Sequence, residues 1–291
     1  MQCAACPRRC RIDRDISRGY CGMPNSPVAA RAALHFDEEP VISGSRGSGT
    51  IFFSGCSLRC VFCQNHGISH GGFGREIGVQ GLRGLFNSLI SQGAHNINLV
   101  NPTHFNAAIL EALDSPLPIP VVYNTGGYEL AGSIRALEGK VRVYLPDLKY
   151  IDSESASRYS GAGNYFEHAS QAIIEMHRQQ PTVVIGKDGT MQQGLMVRHL
   201  ILPGHTGESI RILNWIAEHL PGAWVSLMAQ YVPMGPAVSD PVIGRRLTEN
   251  EYERVVDRLF RLGLEDGFVQ ELDSADERYT PSFDLTGLDG V

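Results

Sequence analysis

A chain of 291 residues, 43% hydrophobic and 19% charged, is long enough for one large domain or two ordinary ones and has the make-up of a soluble globular protein. Its net charge of −6 argues against a nucleic-acid partner, because neutralising phosphates needs a basic surface. No apolar run approaches the ~20 residues that cross a bilayer, and Met1-Gln2-Cys3 opens no apolar signal region, so no membrane association and a cytoplasmic location are expected.

The chain begins with Cys3-x2-Cys6-x3-Cys10-x10-Cys21, and Cys63 is the last cysteine. Seven clustered cysteines do not suit a disulfide framework, which uses an even count spread through the chain. Short spacings in a reducing compartment point to metal ligation. Four thiolates at Cys3, Cys6, Cys10 and Cys21 close a tetrahedral zinc site or hold an iron–sulfur cluster equally well. Zinc would pin an otherwise coreless extension, taken as residues 1–45, and an auxiliary cluster would relay electrons or bind substrate.

Residues 44–49, Gly-Ser-Arg-Gly-Ser-Gly, lack the Gly-Lys-Ser/Thr of a phosphate loop and read as a turn feeding a first strand at 50–54. Directly after it comes Cys56-x3-Cys60-x2-Cys63. Three thiolates in a tight loop can take three corners of an iron–sulfur cubane, and with no cysteine downstream one metal position is left open to reaction. Further strands are predicted at 96–100, 120–124, 141–146, 196–202 and 223–229. Helix-period segments lie between or after them at 79–91, 105–113, 166–178, 208–219 and 248–262. Thr248 and Glu251 have capping-box spacing, and residues 182–189 read as a strand and turn with a return strand after it. About six alternating strand–helix units imply a parallel sheet, an α/β fold whose site faces the C-terminal ends of the strands, over residues 46–270. The scattered histidines are read as structural. The acidic, turn-rich tail, 271–291, is expected either to cover the open side of the barrel or to be disordered.

Cys56, Cys60 and Cys63, with Phe62 at the aromatic position, resemble the motif of the radical S-adenosylmethionine (SAM) superfamily. The resemblance implies a partial (β/α)6 barrel with a Cys-rich N-terminal extension. It also implies a [4Fe–4S] cluster whose open iron binds SAM, and reductive cleavage of SAM to a hydrogen-abstracting 5′-deoxyadenosyl radical. Residues 33–40, 47–56, 96–100 and 123–128 resemble an uncharacterised branch similar to pyruvate formate-lyase activating enzyme. Asp147-Leu148-Lys149 resembles the Asp-Leu-Lys stretch of those activases, and Arg198 begins a run like their Arg-x5-Pro-Gly, in which the arginine contacts the SAM carboxylate. Their Gly-Gly-Glu element is missing after the second strand, where Asn101 and Thr103 are the available acceptors. Asn124 belongs to the third strand's end. The expected partners are a reductant such as flavodoxin or ferredoxin and a protein target of the glycyl-radical type. The alternatives are the same chemistry on a peptide or small molecule, or a non-catalytic metal-binding protein.

Overall fold

The computed structural model describes residues 2–274 and 281–290. In chain order its elements are β1 (Val28–His35), α1 (Pro40–Ser43), β2 (Ser48–Phe53), α2 (His66–Ser69), β3 (Arg75–Glu76), α3 (Gly78–Ser91), β4 (Ile97–Val100), α4 (Asn106–Ala112), β5 (Val121–Thr125), α5 (Ala131–Arg135), β6 (Val143–Pro146), α6 (Ser153–Ser160), α7 (Tyr165–Gln179), β7 (Val184–Ile185), β8 (Met191–Leu200), α8 (Thr206–His219), β9 (Trp224–Met228), α9 (Glu249–Arg261) and β10 (Gly267–Val269). The sheet order is β10-β9-β8-β6-β5-β4-β2-β1-β3, with β7 paired to β8. From β2 to β10 every neighbouring pair along this path is parallel. The result is a mixed α/β fold on a mostly parallel sheet. It carries one parallel strand more than the six expected, because the three-residue β10 adds to β9. Among the described residues no pairing joins β10 to β3, so the sheet stays open.

Side-chain alternation along each strand splits the core in two. Leu99, Tyr123, Tyr144, Leu195 and Val197 face outward into the main core shared with the helices. Val122, Val143, Leu145 and Met196 face inward and pack on Ile42 of α1. The register puts α1 at the foot of the sheet. β1 runs antiparallel to β2, with His35 opposite Ser48, so residues 36–47 leave β1 where the parallel strands begin. They then tuck α1 against the inner face. Ile42 is fully buried there, worth ~1.5–3 kcal/mol, and Asn96 Nδ2 donates to its carbonyl at 2.7 Å.

The expected boundary at 45/46 falls between α1 and β2, and β1, on its N-terminal side, is a full member of the sheet. Part of the tail, 275–280 and 291, lies outside the described residues. Residues 283–288 run along the edge of β1 that the two-residue β3 leaves open: Leu285 N–H donates to Ala30, and Ala32 N–H to Thr286. Covering that edge removes a row of unpaired backbone groups. The capping box forms at α9, where Thr248 and Glu251 exchange hydrogen bonds.

Candidate functional site

The loop after β2 is held from three directions. Gly55 takes φ +78°, and a Cβ there would lie 2.3 Å from Met23 Cγ and 2.5 Å from the Cys21 carbonyl, so only glycine lets the N-terminal segment approach this closely. Asn101, at the left-handed φ of 59° that asparagine tolerates, donates from Nδ2 to the Gly55 carbonyl at 2.5 Å. His104 is buried and its Nε2 meets the Ser54 carbonyl at 2.7 Å; burial lowers its pKa to about 4, which keeps the ring neutral.

Cys56, Cys60 and Cys63 line one cavity of ≈ 220 Å³ together with Phe62, Asn101, Asn124, Asp147, Lys149 and Arg198. Beyond the cysteines' own loop, Asn101, Asn124, Asp147, Lys149 and Arg198 sit near or just past the C-terminal ends of β4, β5, β6 and β8, where a parallel sheet places its site. Each sulfur has a donor: Leu58 N–H on Cys56 at 3.3 Å, the Ser160 hydroxyl on Cys60 at 3.0 Å and the Ser69 hydroxyl on Cys63 at 3.3 Å. Burial raises the thiol of Cys56, and burial with its two neighbours pushes Cys63 up to about 12. Three thiolates can share so dry a space only around positive charge. In its chemistry, this set of three cysteines is one that could hold an iron–sulfur cluster.

Behind the cysteines lies a charged floor. Arg198 spends every side-chain nitrogen on it: Nε to Asp147 at 2.9 Å, Nη1 to Glu38 at 3.2 Å and Nη2 to Asn124 at 2.6 Å. Asp147 also accepts from Lys149 Nζ at 2.6 Å. Glu38 also accepts from Asn98 and Asn124, at 3.3 and 3.0 Å. Burial alone would raise the Asp147 carboxyl, but Arg198 and Lys149 hold it below its ordinary value. Burial raises Glu38 and Glu39, against the pull of Arg198. Burial works against the Lys149 ammonium too, yet Asp147 and then Cys60 lift it to about 12. A carboxylate ligand would compete with Asp147 and Glu38 for the Arg198 fork, which keeps two of its five N–H groups, as Lys149 keeps two of its three after Asp147. Phe62 packs edge-on against Tyr231 and Tyr159.

Thr103 does not reach the cavity. It donates at 2.5 Å to Glu129, which also accepts from Thr125 at 2.5 Å and Tyr123 at 3.3 Å. Glu129 is fully buried, and burial pushes its carboxyl up to about 7. Sequence reasoning missed this acid, although it stands two residues after Gly126-Gly127. It also missed Glu38, and the His66–His70 pair one helical turn apart beside the cysteine loop. Those rings stack at 4.2 Å, and His70 Nδ1 lies 2.9 Å from the Ser69 hydroxyl that serves Cys63.

Cys3, Cys6, Cys10 and Cys21 are gathered beside this loop. Burial pushes Cys6 up to about 12, opposed by the Arg8 N–H, with Cys21 and Cys10 among its electrostatic neighbours. Burial likewise raises Cys21, opposed by the Met23 N–H, with Cys3 and Cys10 nearby. Tyr20 N–H donates to Cys10 Sγ at 3.4 Å. Among the described residues no three Cys, His, Asp or Glu side chains stand in the geometry of a single bound metal ion. The donor chemistry suits a thiophilic metal centre, and the geometry does not select one.

No protein-family model matches the chain. It is 32% identical over 273 residues to the uncharacterized protein MJ0674 of Methanocaldococcus jannaschii, a match that covers 90% of this chain and 75% of that protein. The chain belongs to the family of that protein. Among solved structures it is similar to methylornithine synthase (PylB), with a TM-score of 0.48 and 14% identity over 74% of this chain and 68% of that one. Among the described residues no helix is long and apolar enough to cross a membrane.

Proposed function

We propose that the chain is a radical SAM enzyme whose [4Fe–4S] cluster is held by Cys56, Cys60 and Cys63. The observation that carries this reading is the placement of three hydrogen-bonded thiols, Cys60 buried and Cys56 and Cys63 half-buried, on a cavity walled by the ends of parallel strands. Bound there, the cluster and SAM would supply a hydrogen-abstracting radical. The chain's own part is to fix and shield. Leu58, Ser69 and Ser160 aim donors at the sulfurs, Asn101 fixes the loop's entry through Gly55, and Lys149 offers a cation close to Cys60. Leu58, Phe62, Ile68 and Met234 line the cavity with apolar surface that keeps water from a reactive species.

The target, in this reading, is a protein that receives a radical, as in the glycyl-radical-enzyme activases that Asp147-Leu148-Lys149 and the run from Arg198 resemble. A flavodoxin or ferredoxin delivers the electron in the cytoplasm, and the four N-terminal cysteines hold a second metal centre, zinc or iron–sulfur. Anaerobic reconstitution with iron and sulfide, reduction with dithionite and assay for 5′-deoxyadenosine and methionine test the chemistry. A reconstituted, reduced protein that forms no 5′-deoxyadenosine would overturn it. Search for the molecule that takes up the radical separates a protein target from a peptide or small molecule.

A further inference from the structure

Two residues of the N-terminal segment serve both groups of cysteines at once. The Arg8 amide faces the Cys6 sulfur, while its guanidinium donates to three carbonyls: Ser57 at 2.8 Å, Ser160 at 2.8 Å and Gly161 at 2.5 Å. Ser57 lies inside the Cys56–Cys63 loop. Ser160 ends α6, and its hydroxyl is the donor on Cys60 Sγ. Tyr20 repeats the arrangement. Its amide donates to Cys10 Sγ at 3.4 Å and its hydroxyl to the Leu58 carbonyl at 3.3 Å. The Arg8 guanidinium lies over the Tyr20 ring at 3.8 Å, which locks the two together.

We propose that the four-cysteine group is a positioning site for the Cys56–Cys63 loop, acting through Arg8 and Tyr20, with Arg8 fixing the Ser160 backbone and so the place from which its hydroxyl, also met by the Tyr150 hydroxyl at 2.8 Å, reaches Cys60. The proposal rests on the cluster reading above. An arginine on the last carbonyls of a helix can be no more than a C-terminal cap. What sets this one apart is that the same guanidinium spans to Ser57 and that the helix end it holds touches a cluster sulfur. Hydrogen bonds to cluster sulfurs set reduction potential, so the link has a spectroscopic readout that a plain cap lacks.

The test is a spectroelectrochemical titration of the reconstituted full-length protein, with iron counted per chain. Ser160→Ala removes a hydrogen bond from sulfur and should lower the potential. Arg8→Ala should lower it in the same direction with iron at the three-cysteine loop retained, and the double variant should fall no further than the larger single, because both act through one hydrogen bond. Arg8→Lys keeps a cation over Tyr20 and guards against an Arg8→Ala protein that does not fold. It should track the loss, since one ammonium cannot serve three carbonyls. Cys10→Ser should shift the potential the same way from the other end of the link. An Arg8→Lys protein with the parent's potential, or fully additive shifts for Arg8 and Ser160, would overturn the proposal while leaving the cluster reading intact. A parent protein that assembles no cluster overturns both.

Discussion

Glu129 offers a quantitative check on the buried network beside the cysteines. Its carboxyl moves from an ordinary value of about 4.3 to about 7, mainly through burial, with the hydroxyls of Thr103, Thr125 and Tyr123 pulling the other way. The folded protein therefore holds this proton more tightly than the unfolded chain, and stability falls as pH rises. The penalty is absent below the unfolded value and complete above about 7. At ~1.4 kcal/mol per tenfold change in proton affinity it totals ~3–4 kcal/mol, of which ~2–3 kcal/mol develops between pH 5 and 8. Glu129→Gln keeps the shape and an oxygen for the hydroxyls but cannot ionise. Its second terminal atom replaces Glu129 Oε2, which has no hydrogen-bond partner, so the variant should be less stable than the parent at pH 5. The gap should close or reverse by pH 8. Urea unfolding of both proteins under anaerobic, reducing conditions at several pH values gives the comparison. Parallel curves across that range would show that Glu129 does not titrate between its folded and unfolded values, and would refute the reasoning.

Cys60→Ala should lose the reduced-cluster signal in electron paramagnetic resonance and all 5′-deoxyadenosine formation, because three ligands leave no redundancy; a variant that cleaves SAM at the parent rate would sink the cluster assignment. Cys6→Ala should lose metal from the N-terminal group, seen as a fall in zinc or iron per chain, while the SAM-bound cluster signal survives; equal metal content in the two proteins would show that these cysteines are not ligands. Arg198→Met leaves Asp147 and Glu38 buried with one shared cation fewer and should cost ~3–5 kcal/mol of stability in denaturant unfolding. Because three of the five Arg198 N–H donors are committed to Asp147, Glu38 and Asn124, Arg198→Lys should lower stability while changing SAM affinity less than tenfold. A tenfold or greater loss of SAM binding at unchanged stability would place the carboxylate directly on the arginine.

What was legible in the sequence was what is local. The α9 capping box spans three residues, and its pattern is its geometry. The β2 strand and the cysteine loop are contiguous, so their juxtaposition needs no knowledge of the fold. The order of strands follows from alternation because each parallel strand pairs with the next along the core of the sheet. Apart from β1, eight residues read as part of the N-terminal extension, the misses are long-range or short. β10 is three residues, below what periodicity can register. Glu38 joins Arg198 across 160 positions and Asn124 across 86, so the sequence shows an acidic stretch but not its partners. Thr103 stands beside Asn101, yet one supports the cysteine loop and the other turns to Glu129. That difference is set by a 3₁₀ turn at Thr103–Phe105 that no composition argument resolves.

The segment that tucks α1 under the sheet has a kinetic meaning. Ile42 and its inward-facing neighbours are almost fully buried, and above them Glu38, Asn98, Asn124 and Arg198 are knitted together. Nothing the size of a metabolite passes through such a layer without local unfolding. The chamber is closed at this foot, so a ligand has to come and go by another side. Molecules that stack above a closed foot and share one way out leave in the reverse of the order in which they came. A cofactor seated deep against the charged layer would then wait for whatever lies above it to depart, and inhibition patterns with spent cofactor and target should report an ordered, not a random, sequence of binding.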